Sequence, residues 1–425
     1  MRVTITAAGA RGDVQPCVAL GLGLKRAGHD VVLAGWEPYR RMAESRGLEF
    51  HSVAGPAPEN LVSSLVGAGR NPLQYARRFR PLLRPHVERG LRDSLDACAD
   101  ADAVLYSPLG FAGFMAAEHL GLPSVGSVVE PLFVRSTLYP SAALGGGVDL
   151  PAIRPVYNRL SHLAMEQIYW RIIGPLVAEA RENLGLPPMP VLGGPVAEIH
   201  RSRRPILLGW SRHVLPEDPK HENRTPTTGY WFLDREEGWQ PPERLLKFLD
   251  DGDPPVALGL GSMTGVESAQ TGRIVSETAR ALRRTGLRGV LLSGDARVDG
   301  YLPDNVIRVP GEVPYDWLFP RVAAAVHHGG AGTVAAALRA GTPSVVIPVL
   351  PDQAFWARRV ATLGAAPPPI PRKKVTAGKL SASISEAAND PAVRRRCENL
   401  GAKIAAEDGL SRAIEAFESQ VGKGV

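Results

Sequence analysis

The residue types best suited to chemistry stand together in one run, Val326-His327-His328-Gly329-Gly330-Ala331-Gly332-Thr333, with Asp352-Gln353 placed twenty residues after Gly332. The apolar stretch Ala323 to Val326 reads as a strand ending in the glycines, and Val334 to Ala340 as the helix they open. Glycines such as Gly330 and Gly332 let the backbone approach a ligand closely. A helix N-terminus adds unpaired N–H groups and the positive end of a dipole, a setting for phosphate. Thr333 contributes a hydroxyl and His328 a ring nitrogen to the same anion. A carboxylate beside an amide, one strand and one turn later at Asp352-Gln353, suits sugar hydroxyls better than a second phosphate. Adjacent loops reading phosphate and sugar imply a nucleotide-sugar site. Asp352-Gln353 also has a plainer reading, as the start of a helix over Ala354 to Leu363.

The rest of the chain supplies a repeating framework to position these residues. Arg2 to Ala7 reads as a strand, Pro16 to Ala27 as a helix ended by Gly28, and Val31 to Ala34 as the next strand. Ala103 to Tyr106 and Ser124 to Val128 read as strands, with a helix over Ala112 to Leu120 between them. From Pro205 to Pro242 prolines fall among charges without a helical period, the texture of a connection. Alternation then resumes with strands at Val256 to Leu260, Gly289 to Leu292, Val306 to Val309 and Ser344 to Ile347, and a helix over Val266 to Arg284. This rhythm predicts an α/β fold of parallel sheets with helices on both faces. Two facing Rossmann-like domains are expected, over 1–204 and 243–408, joined by a linker over 205–242. A last helix over 409–425 would pack back on the first. An interdomain cleft at the carboxyl ends of both sheets would then hold the ligand.

In the first domain, Gly9-Ala10-Arg11-Gly12-Asp13 leaves the end of the first strand, where such sheets bind ligands. Asp13 there is either a helix cap or a carboxylate facing the cleft, and the loop alone leaves both open. Gly259 to Gly265 has glycines spaced G-x-G-x-x-x-G, and Asp295 is about thirty positions on; this argues against a dinucleotide fingerprint. Ser262 fits a second small-residue turn against phosphate, or a simple strand–helix turn. His327 continues its strand, and no histidine or cysteine nearby has zinc spacing. Leu109 to Phe133 is rich in apolar residues, among them Phe111, Phe114 and Phe133, and suits either a hydrophobic ligand or a core.

Composition sets outer limits. The chain has 425 residues, 44% hydrophobic and 22% charged, as expected of a soluble two-domain protein. Neither a signal peptide nor a membrane span is expected, and three widely spaced cysteines fit a reducing cytoplasm. Of the net charge of +6, the largest cluster is Arg70, Arg77, Arg78, Arg80, Arg84, Arg89 and Arg92. It reads as a solvated helix face, with a weak peripheral contact to an anionic membrane as the alternative. No aromatics alternate with it as nucleic-acid binding would prefer.

Taken together, these motifs resemble the family 1 inverting glycosyltransferases of GT-B fold, nearest to sterol glucosyltransferases and actinobacterial enzymes that glycosylate vancomycin-type antibiotics. The similarity runs through Gly9 to Pro16, Gly229 to Asp234, Gly261-Ser262-Met263, Asp316 to Pro320, His327 to Thr333, Pro351 to Trp356 and Pro369 to Lys374. The resemblance implies Asp13 as general base and His328, Gly332 and Thr333 on the donor diphosphate; Arg11, Gly12, Ser262 and Gly330 are further expected donor-binding residues. It implies Asp352 and Gln353 on the donor sugar, and the backbone at Val313, within Gly311 to Pro314, on the nucleobase. Plant relatives stack a tryptophan in that segment; this chain has none there, which leaves UDP and TDP open. They also support the base with an aspartate, where this chain has Ser107-Pro108 after its strand. The expected reaction moves glucose or a related hexose from UDP- or TDP-sugar to a hydroxyl of a hydrophobic natural product or sterol-like acceptor. It needs no cofactor or metal and takes place in the cytoplasm. A nucleotide-sugar 2-epimerase and a non-catalytic nucleotide-sugar-binding protein are the alternatives.

Overall fold

The structure, a computed structural model, describes residues 1–68, 72–144, 150–221, 224–259, 268–294 and 302–422. The chain divides into two compact units: Met1–Leu233 with Glu407–Val425, and Asp234–Ala406.

In chain order the first unit holds β1 (Arg2–Ala7), α1 (Arg11–Arg26), β2 (Asp30–Gly35), α2 (Arg40–Glu44), β3 (Glu49–Ser52), α3 (Pro58–Ala68) and α4 (Pro72–Cys98). It continues with β4 (Ala103–Tyr106), α5 (Phe111–Leu120), β5 (Ser124–Val128), α6 (Arg154–Asn183), α7 (Gly194–Arg201) and β6 (Ile206–Leu208). All pairings are parallel, in the order β3-β2-β1-β4-β5-β6. β1, β4 and β5 are buried almost throughout, as strands covered on both faces must be. Strand order reverses between β1 and β4, so the loops after these two strands border the crevice that such sheets offer a ligand.

The second unit holds α8 (Glu243–Asp250), β7 (Val256–Gly259), α9 (Ser268–Thr285), β8 (Gly289–Gly294), β9 (Val306–Pro310), α10 (Tyr315–Leu318) and β10 (Ala324–His327). Then come α11 (Ala331–Arg339), β11 (Ser344–Val346), α12 (Pro351–Thr362), α13 (Ala377–Asn389) and α14 (Pro391–Ala405). Its parallel sheet runs β11-β10-β7-β8-β9, reversing between β7 and β10. Alternate residues face two apolar layers: Val256 and Leu258 join one, Ala257 the other. The final helix α15 (Gly409–Val421) belongs to the first unit, where Glu418 meets His29 at 2.9 Å.

Two expectations change. The stretch 205–242 is more than a linker, because Ile206–Leu208 is the sixth strand of the first sheet, and the division falls after Leu233. A three-residue strand among prolines has too little pattern to show in sequence. The first helix starts at Arg11 instead of Pro16, because Asp13 satisfies an N–H at its start and Pro16 is accommodated inside it. Among the described residues, no helix is long and apolar enough to cross a membrane. The arginine cluster is partly structural: Arg80 ties α4 to α6 through the carbonyls of Ile172, at 2.7 Å, and Arg171. Arg77, Arg78, Arg84, Arg89 and Arg92 are exposed, and Arg70 lies outside the described residues.

Candidate functional site

In the second unit the conspicuous run occupies the end of β10 and the first turn of α11. The strand ends on His327, whose Nδ1 accepts the Gly329 N–H at 3.1 Å. Helical bonding begins where the Val334 N–H reaches Gly330 O at 2.9 Å, so the N–H groups of Ala331, Gly332 and Thr333 have no helical acceptor. Gly332 is exposed. The His328 ring lies over Gly330, its Nε2 2.6 Å from where a Cβ would stand, and its Nδ1 is buried without a partner among the described residues. Burial pushes the His328 pKa down to about 4, so the free protein presents a neutral ring. The Nε2 edge of that ring, set over Gly330 at the open N–H groups of the helix start, is an arrangement that suits an anion.

The neighbouring turn lies against this one. Gly329 has φ +91°, and a Cβ there would stand 2.6 Å from Val346 Cγ1 and 3.1 Å from Gln353 O, so only glycine lets the two turns approach. Gln353 Oε1 accepts the N–H groups of Val349 at 2.9 Å and Leu350 at 3.0 Å, ahead of α12. Burial raises the Asp352 carboxyl to about 6, opposed by hydrogen bonds from the backbone of its own turn. The structure thus brings His328, Gly330, Gly332, Thr333, Asp352 and Gln353 to the ends of adjacent strands β10 and β11. The Val313 side chain is buried in the core beside Trp317. Ser262 lies outside the described residues.

In the first unit Asp13 is the third residue of α1, and its Oδ2 accepts the Ala10 N–H at 2.8 Å. Gly9 makes this possible: with φ +127°, its missing Cβ would lie 2.4 Å from Asp13 Oδ2. The Gly9 carbonyl is held by the buried Tyr39 hydroxyl at 3.1 Å, and Ser107 Oγ accepts the Ala8 N–H at 3.2 Å. Tyr39 carries no sequence signal, while Ser107 stands at the position where the plant relatives have an aspartate. Arg11 and Gly12 are exposed on the same first turn, and Arg11 Nε reaches Gln15 Oε1 at 3.4 Å.

Thr6, Ala7 and Ala8, which lead into this turn, also wall a cavity enclosing about 910 Å³ of space, part of it open to solvent. Its other walls are Trp36 after β2, Phe79 and His86 of α4, Phe111 of α5, and Tyr169 and Ile173 of α6. The lining is apolar apart from a few groups such as His86 and Ser94. Of the three aromatics singled out in sequence, Phe111 lines the cavity. Phe133 backs it, 6.2 Å from Phe111 and 5.2 Å from Tyr169 between ring centres. Phe114 is fully buried between Tyr106 and the Arg204 guanidinium, a core position. Among the described residues no group of three or more His, Cys, Asp or Glu is arranged to hold a metal ion.

Residues 3–138 match the glycosyltransferase family 28 N-terminal domain, and residues 292–414 the erythromycin biosynthesis protein CIII-like C-terminal domain. The chain is 36% identical to O-mycaminosyltylonolide 6-deoxyallosyltransferase of Streptomyces fradiae, covering 98% of this chain and 97% of that protein. It is 33% identical to a sterol 3-beta-glucosyltransferase of Candida albicans, covering 99% of this chain and 28% of the fungal protein. It therefore spans under a third of that longer polypeptide. The solved structure of the glycosyltransferase VinC in complex with dTDP has a TM-score of 0.70 to this chain at 20% identity, covering 100% of both, a likeness of fold. With two parallel sheets that each reverse strand order at a loop bearing candidate site residues, and with these relatives, the chain belongs to the GT-B glycosyltransferases, the family of antibiotic-modifying enzymes and sterol glucosyltransferases.

Proposed function

We propose that this glycosyltransferase moves glucose or a related hexose from a UDP- or TDP-sugar to a hydroxyl of a hydrophobic acceptor, with inversion at the anomeric carbon. The observation that carries the reading is the apolar cavity of the first unit, walled by the residues that run into the Asp13 turn. Asp13 takes the proton of the acceptor hydroxyl while that oxygen bonds to the anomeric carbon. The bond from that carbon to the phosphate oxygen breaks, and its electron pair leaves with the nucleoside diphosphate. The α11 N-terminal N–H groups and the neutral His328 ring meet the charge that develops there, so no metal is needed to neutralise it. Asp352 and Gln353 bind hydroxyls of the donor sugar. Gln353 does so through its amide nitrogen, because its oxygen is engaged by the backbone.

The test pairs UDP-glucose and TDP-glucose with O-mycaminosyltylonolide and cholesterol, acceptors of the kinds the relatives' names print. The expected result is a product one sugar heavier than the acceptor, with its anomeric configuration inverted by NMR. Retained configuration would overturn the mechanism. Isomerised donor without added acceptor would overturn the transfer.

A further inference from the structure

Between β5 and α6, the backbone of residues 133–139 is held by side chains and not by a neighbouring strand. Every second carbonyl accepts a side-chain N–H: Phe133 O from His200 Nε2 at 3.3 Å, Arg135 O from His221 Nε2 at 2.9 Å, Thr137 O from Asn158 Nδ2 at 2.9 Å, and Tyr139 O from His162 Nε2 at 3.1 Å. A carbonyl only accepts, so each ring carries its proton on Nε2. On the other side Asp218 Oδ2 accepts the Ser136 hydroxyl at 2.8 Å and the Thr137 N–H at 3.1 Å. Arg135 is clamped by Glu166, itself buried.

The ladder is costly in a core. Asn158 and His162 are completely buried, and Asn158 Oδ1, His162 Nδ1 and His221 Nδ1 are left without partners among the described residues. An apolar filling would be cheaper if volume were all that mattered. Such a network does specify one backbone path. What that path carries is Phe133, whose ring supports Phe111 and Tyr169 on the cavity wall.

We infer that this side-chain ladder is a template for acceptor specificity, with His200 the positioning residue that sets Phe133 and, through it, the aromatic wall of the cavity. The inference rests on reading the cavity as the acceptor site. Its test measures Kd for cholesterol and O-mycaminosyltylonolide by tryptophan fluorescence, and the KM for UDP-glucose. His200→Leu should weaken binding of at least one acceptor about tenfold, the factor a single hydrogen bond is worth, and change the ratio between the two. His200→Gln keeps an N–H at similar reach and should restore both values to within about twofold. The donor KM should stay unchanged in both variants. Phe133→Leu leaves the ladder whole and should reproduce the His200→Leu effect, which keeps the question answerable if His200→Leu does not fold.

Unchanged acceptor affinity in Phe133→Leu, or failure of His200→Gln to rescue a folded His200→Leu, would overturn the inference. Ala112→Trp, which fills the cavity and alters no residue of the ladder, separates the two readings. If it abolishes acceptor binding while His200→Leu and Phe133→Leu do not, the ladder role fails and the acceptor site stands. If Ala112→Trp leaves binding intact, or the wild-type protein binds neither probe, the acceptor reading fails and the inference with it.

Discussion

Asp13 Oδ2 accepts the Ala10 N–H, so the proposed base is also part of a helix start. The two roles separate by substitution. Asp13→Asn keeps an oxygen for the N–H and should cut kcat on the order of 10²–10⁴-fold, with the donor KM within about twofold. Asp13→Ala should in addition cost about 1 kcal/mol of stability by thermal unfolding. An Asp13→Asn enzyme of full rate leaves only the cap. Asp352 makes a second prediction. Its carboxyl titrates near 6, so lowering the pH through 6 protonates it and removes a strong acceptor for donor hydroxyls. Donor KM should therefore rise below about pH 6, while His328, near 4, stays neutral over that step. In Asp352→Asn the pH step should vanish. These residues were visible in the sequence because glycine, histidine and acid types cluster in few positions. Their neighbour Tyr39 was not, since a tyrosine thirty residues from Gly9 has no pattern to betray it.

In the proposed reaction, helix starts are the working parts of both sheets. α1 places Asp13, α11 places three open N–H groups, and α12 places Asp352 and Gln353, each directly after a strand. With α11 supplying the electrostatics, dialysis against EDTA should leave kcat unchanged. Hydrogen exchange at residues 331–333 should slow when UDP or TDP binds the enzyme. The strand–helix rhythm made these starts legible to within a few residues. Pro16 misplaced one by suggesting a first helical position it does not hold. The 133–139 segment lay beyond sequence reasoning altogether, because its order comes from donors spread over 158–221. Its rings do leave a measurable trace. Burial lowers His162 and His200 to about 4, against about 6.5 unfolded. The contribution of these two rings to native stability is therefore full above pH 6.5 and falls as pH drops from 6.5 toward 4. The loss is about 1.4 kcal/mol per pH unit for each ring, seen in urea titrations at fixed pH values. The same profile in a His162→Gln, His200→Gln double variant would contradict the burial.

At the scale of the whole molecule, the expected α/β architecture appears as two parallel sheets, because burial on both faces writes near-continuous apolar strands into the sequence. The exact division was less legible, since β6 has only three residues, Ile206–Leu208, to announce it. The second unit is one continuous stretch, while the first is assembled from 1–233 and 407–425. α15 buries Ala413, Phe417 and Val421, and a Cβ on Gly23 of α1 would stand 2.7 Å from Ile414. Deleting 407–425 should therefore destabilise the first unit by several kcal/mol, at about 1.5–3 kcal/mol for each large side chain uncovered. Limited proteolysis would show it as faster cleavage within 1–233. A further consequence concerns order in time. During synthesis the ribosome finishes all of Asp234–Ala406 before it makes the helix that closes the earlier half. The half begun first is thus the half completed last, and until then the growing chain shows the bare flank of α1 to whatever chaperones attend it.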